Sequence, residues 1–119
     1  MQRVVITGTG VMTGMGTGVD ALMEGIENRR CATLRMPGWE KYKGLRSLVG
    51  VPAELPSVKH IPRKVRRSMG RLSLLAVFAV EEALSSAGLD RAELADDRYG
   101  CVVGSTMGGA DALNDTFET

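Results

Sequence analysis

The chain has 119 residues, room for one small domain and too few for two. Its 15 Lys and Arg against 14 Asp and Glu leave a formal net charge of +1, which excludes a protein that holds nucleic acid by bulk charge. At 44% hydrophobic and 24% charged residues, the composition is that of a folded soluble protein and not of a disordered one.

Aromatic residues make up only 4%, so the core has to be aliphatic. The 15 glycines are about twice the ordinary share, which points to tight turns and close backbone approach. Cys31 and Cys101 are too few for a disulfide framework, and neither has a metal-ligand pattern beside it. The single histidine, His60, excludes a His-rich metal site. The first residues lack a signal-peptide apolar region, and no run of about 18 apolar residues occurs. The expectation is a reducing, cytoplasmic setting with no membrane span, no metal and no cofactor.

In chain order, residues 3–7 (RVVIT) predict a short, buried, parallel strand that stops at Gly8. A glycine loop follows, with Gly8, Gly10, Gly14, Gly16 and Gly18. Thr17, three residues before Asp20, predicts a capping box that opens a helix to about Asn28, with Val19, Leu22, Met23 and Ile26 at helical spacing. Residues 29–61 have no clear period and contain three prolines, so they predict an irregular excursion with a short strand at 47–51.

Residues 62–87 predict one helix, opened by Pro62 and apolar nearly all round across LSLLAVFAV, hence buried inside something large. Gly88 fits the left-handed position that ends it, with Leu89 placed for the accompanying contact. Asp90 and Glu93 form a second capping box before a short turn through Leu94. Residues 99–103 (YGCVV) predict a second buried strand, 104–109 (GSTMGG) a glycine loop, and Ala110, Leu113 and Phe117 a further helix. Two parallel strands and these few helices cannot cover both faces of a parallel sheet. The expectation is therefore an α/β segment of a larger fold, which neither folds stably nor reacts alone.

The strand, glycine loop and helix at the start invite a dinucleotide-binding reading. Gly8-Thr9-Gly10 supplies two glycines, but Thr13 stands at the third position, and no second strand with an acidic end follows. No loop ends in Gly-Lys-Ser or Gly-Lys-Thr. For 104–109, a tight strand-to-helix turn and a loop where substrate approaches backbone are both open from spacing alone.

RVVITGTGVMTGMG at the start, RKVRRSMGRLSLLAVFAVEEALSSAGL in the middle and YGCVVGSTMGG near the end occur in the order seen in one family. Together they resemble the β-ketoacyl synthases, the elongating condensing enzymes of fatty-acid and polyketide synthesis. Met12, Thr13 and Gly14 depart mildly from the usual first motif, and Gly70 stands where Asp is usual. The resemblance covers nearly the whole chain and about the first third of the family's length. It implies the N-terminal part of a thiolase-like fold, layered αβαβα and incomplete in this chain. The family's catalytic Cys and two His lie further along, so the expectation is no catalytic residue here. Cys101, mid-strand among apolar residues, is expected to be a buried inert thiol. Cys31 follows Arg29 and Arg30, which would lower its pKa, and His60 is expected to be a surface residue.

Arg63, Lys64, Arg66 and Arg67 crowd the predicted start of the 62–87 helix, with Arg71 one turn on. Cations there oppose the helix dipole by about 0.3–1 kcal/mol each, and Glu81 and Glu82 stand at the opposite wrong end. An acidic binding partner accounts for the basic end, and the resemblance names the acyl carrier protein. By position in the motif Lys64 and Arg67 match the contacting residues, with Arg63 and Arg66 compensating for Ser68. Met107, a large flexible residue among glycines, is either a packing plug or the lining of an apolar ligand site. The resemblance implies that it lines the acyl pocket. It also implies a homodimer, or a heterodimer with a second ketosynthase-like subunit. A non-catalytic chain-length-factor-like partner and a free-standing nucleotide-binding domain are the competing functions.

Overall fold

The computed structural model describes residues 3–90, 92–106 and 108–109. Two short antiparallel ladders and three α-helices form it. Strand β1 (Met12–Thr13) pairs with β2 (Gly16–Thr17), with Met12 opposite Thr17 and Thr13 opposite Gly16. Helix α1 (Val19–Glu27) follows directly. Within the excursion, β3 (Leu34–Arg35) pairs with β4 (Val49–Gly50) around a 3₁₀ turn at Trp39–Lys41. Helix α2 (Arg63–Arg66) and helix α3 (Arg71–Ala87) come next, then a 3₁₀ turn at Glu93–Ala95.

Several expectations change. Residues 3–7 and 99–103 are not strands: neither has a ladder partner among the described residues, and Val4 and Val102 are 95% and 100% exposed. Their β-branched pattern suits an interior strand, but such a strand needs neighbours in the sheet and helices over both faces. The ladders that do form are antiparallel, β1–β2 closed by a tight turn at Gly14 and Met15 and β3–β4 closed across residues 36–48. The single helix expected over 62–87 is two helices, because the chain leaves helical geometry at Gly70 (ψ 172°) before α3 begins at Arg71. No α3 residue is fully buried, although its apolar surface is continuous. The Thr17 capping box also fails: Gly18 is the cap position and no side chain of its own neighbourhood closes it.

Other local signals hold. Gly88 takes a left-handed conformation (φ 70°), the Leu89 N–H donates to the Leu84 carbonyl at 3.0 Å, and the Gly88 N–H donates to Ser85 at 3.1 Å. The Asp90–Glu93 box closes from the Glu93 side, while the Asp90 carboxylate turns to Ala92. The Asp90 N–H donates to Glu93 Oε2 at 2.9 Å, and the Ala92 N–H donates to Asp90 Oδ1 at 3.4 Å.

The centre of the molecule is a seam of small residues. The Gly8–Gly10 backbone lies against α3 where Ala79, Ala83 and Ala87 follow one another at four-residue spacing. A Cβ at Gly8 would collide with the Ala83 carbonyl and stand 2.8 Å from the Ala87 nitrogen, and one at Gly10 would stand 2.7 Å from the Ala83 nitrogen. Beside this seam, Glu82 of α3 ties the N-terminal layer down. Its Oε1 accepts the Val19 N–H at 2.7 Å, and its Oε2 accepts the Val11 N–H at 2.8 Å. Val19 opens α1, where N–H groups lack helical partners and the dipole is positive. A carboxylate from another helix thus does the capping that Thr17 was expected to do.

Candidate functional site

The basic segment sits on α2, a single turn. Pro62, with φ −54°, precedes it and supplies the carbonyl that the Val65 and Arg66 N–H groups donate to, at 2.9 and 3.1 Å. The Arg67 N–H then donates to the Arg63 carbonyl at 3.2 Å. Arg63, Lys64 and Arg67 are exposed and Arg66 is half-buried. No Asp or Glu occurs between Glu54 and Glu81. Among the described residues no ion pair engages any of the four cations. The cluster is therefore a concentrated positive surface with its charges available to a partner.

The break at Gly70 removes the misfit with the helix dipole. Three of the five cations, Arg63, Lys64 and Arg66, lie in α2 and Arg67 is its C-cap residue; a four-residue turn has no separate first and last turn, so they oppose no dipole end. Only Arg71 opens α3, and its guanidinium donates to the Ala53 carbonyl. The two acids are accounted for as well. Glu82 caps α1, and Glu81 Oε2 lies 3.0 Å from His60 Nε2. What marks the site is exposure and the absence of nearby counter-charge, not misfit with a helix.

His60 is partly exposed, as expected, yet it is engaged: its ring also meets Phe78 edge-on, with centroids 5.3 Å apart. Cys101 is exposed, contrary to expectation, because residues 99–103 lie unpaired. It lines an apolar groove along α3 with Ala76, Val77, Val80, Leu84 and Val103. The Cys31 thiol is held below its ordinary pKa by hydrogen bonding to the Thr33 side chain and backbone, not by the preceding arginines. Met107 lies outside the described residues, as does the helix expected from Ala110. No group of three or more metal-ligating side chains occurs among the described residues, and none of their helices is long and apolar enough to cross a membrane. Glu82 and His60 are the two structurally engaged residues that sequence reasoning missed. The adjacent acids at 81 and 82, oddly placed for their own helix, were the available signal.

The model of the β-ketoacyl synthase N-terminal domain matches residues 1–119, the whole chain. This chain belongs to the β-ketoacyl synthase family. It is 36% identical over 118 residues to nodulation protein E of Rhizobium meliloti (strain 1021), covering 99% of this chain and 29% of that protein. It is 31% identical over 110 residues to 3-oxoacyl-[acyl-carrier-protein] synthase 1 of Haemophilus influenzae, covering 92% of this chain and 27% of that protein. Its structure superposes on that of a β-ketoacyl synthase from Burkholderia phymatum STM815 with a TM-score of 0.72 and 35% identity, covering 100% of this chain and 30% of the other. The chain thus spans somewhat under a third of the length of the synthases it matches, and its own fold is a small mixed helix and strand unit.

Proposed function

We propose that this chain is the N-terminal part of a β-ketoacyl-[acyl carrier protein] synthase. The whole enzyme moves an acyl group from its carrier protein onto a cysteine outside this chain. It then condenses that group with malonyl carrier protein by decarboxylative Claisen chemistry, releasing CO2 and a β-ketoacyl product in fatty-acid or polyketide synthesis. The observation that carries this reading is the match of the entire chain to the family's N-terminal domain, together with the likeness to a solved synthase at 35% identity. In the complete enzyme the unit lies in a thiolase-like layered αβαβα fold. Exposed Val4, Val5, Ile6, Val102 and Val103 support that placement, since each is of the type that fills an interior strand. The working form is a cytoplasmic dimer of ketosynthase-like subunits and needs no cofactor.

Within this chain, Arg63, Lys64, Arg66 and Arg67 receive the acidic carrier protein, and Met107 lines the acyl-chain pocket. The test is kinetic and uses the complete enzyme. Lys64→Glu and Arg67→Glu should raise KM for acyl carrier protein, with an effect that shrinks as salt is added, because exposed charges are screened over about 8 Å at physiological ionic strength. Equal losses with carrier-bound and small thioester substrates would count against carrier docking. Met107→Trp should shorten the acyl chain accepted, since each methylene denied burial removes about 0.8 kcal/mol. An unchanged chain-length profile in a folded Met107→Trp enzyme would remove Met107 from the pocket.

A further inference from the structure

Helix α2 has little packing of its own. Its one apolar residue, Val65, is 49% exposed, and the segment ends at Gly70, where a Cβ would meet nothing within 4 Å. What holds the segment lies just before it. Ile61, 5% exposed, is the buried hydrophobic residue among those described. His60 beside it reaches α3 with Nε2 and its ring edge and holds its own loop with Nδ1. Nε2 lies 3.0 Å from Glu81 Oε2, Nδ1 lies 3.3 Å from the Ser57 carbonyl oxygen, and the ring edge meets Phe78. Both nitrogens face acceptors, Glu81 on α3 and the Ser57 carbonyl in the loop, so the ring is held from two sides. The clasp therefore joins the loop before Pro62 to the middle of α3, with only Ile61 and Pro62 between it and Arg63.

We infer that the His60–Glu81 clasp is a positioning device: it fixes α2 on α3 and so sets how well the basic segment receives the carrier protein. This rests on the carrier-docking reading. His60 acts through the backbone of 61–67, since its ring is occupied by α3 and the Ser57 carbonyl. Without the clasp the cations remain, but they are spread over more orientations, and association has to order them. The effect is expected in carrier affinity and not in the condensation step.

The experiment uses the complete enzyme carrying His60→Ala, Glu81→Ala or both, with acyl carrier protein as substrate and hydrogen exchange of the 63–69 amides as a second readout. Each single substitution should speed that exchange and raise carrier KM by about two- to fivefold, the range a half-exposed ion pair can carry, with kcat within about twofold. The double substitution should be no worse than the larger single one, since both remove the same contact. Additive effects, or unchanged exchange at 63–69, overturn the clasp. Faster exchange with unchanged carrier KM, in an enzyme where Lys64→Glu does raise it, overturns the link from clasp to docking. If Lys64→Glu and Arg67→Glu both leave carrier KM unaltered, the docking reading fails first and this inference falls with it.

Discussion

Removing the Glu82 carboxylate should loosen the N-terminal layer more than any other single side-chain change near α1. Glu82 accepts two backbone N–H groups, from Val19 at 2.7 Å and from Val11 at 2.8 Å. Hydrogen bonds to a charged partner are worth about 1.5–3 kcal/mol each, and the dipole at the start of α1 adds about 0.3–1 kcal/mol. Glu82 is only partly buried, so water replaces some of this. Glu82→Ala should then cost about 2–4 kcal/mol of local stability. In hydrogen exchange on the complete enzyme, that is a loss of roughly 30- to 1,000-fold in protection over residues 11–22, since about 1.4 kcal/mol is a factor of ten. Glu82→Gln should fall between the two. Its amide keeps one acceptor oxygen but turns an NH2 toward the second N–H, donor against donor. Protection over 11–22 that stays within about threefold in Glu82→Ala would show that the carboxylate does not hold this layer.

Two further outcomes follow from single residues. Gly70 caps α3 without a side-chain acceptor, and the space around it is open. Gly70→Asp should therefore raise the melting temperature of the complete enzyme through a gain of about 0.3–1 kcal/mol, and a lowered melting temperature would refute the open-cap geometry. Asp96 is held down to about 2 from 3.8, first by the Arg98 guanidinium and then by the Arg98 N–H. Because the folded value is depressed, the contribution is complete above the ordinary carboxylate range and is lost as pH falls through about 2. A side-chain titration followed by NMR should place the midpoint there, and Arg98→Ala should return it upward. A native midpoint near 3.8 would show that the pair does not form in solution.

The features readable in advance were those decided within a few residues. The Gly88–Leu89 helix end and the Asp90–Glu93 turn each close over six residues or fewer, so the sequence pattern contains the whole interaction. The failures share a different cause. Residues 3–7 and 99–103 have the right side chains for strands, but a strand is a relation to a neighbour, and no neighbour pairs with them among the described residues. The break at Gly70 was foreshadowed by glycine standing where the resembled motif carries Asp, an N-cap residue, yet the helix formers on both sides, a basic run before and an apolar run after, masked it. The odd placement of Glu82 was visible in the sequence, but what it binds was not. Its partners lie far off in sequence, and no local pattern encodes a cap delivered by another helix. The basic segment was singled out by its misfit with a helix end, and the two-helix arrangement removes that misfit.

The reach of Glu82 also has a consequence in time. Its two partners precede it by 63 and 71 residues. On a ribosome adding about 5–20 residues per second, the nascent chain carries the α1 sequence for about 3–13 s before the acid that caps it has even been joined. A nine-residue helix is marginal by itself in water. Throughout that interval the layer around α1 emerges without its fastening, the apolar Val4, Val5 and Ile6 included. Translation speed between α1 and α3 therefore governs how long this stretch is offered to chaperones, and synonymous changes that slow synthesis there would act on yield without altering one residue of the product.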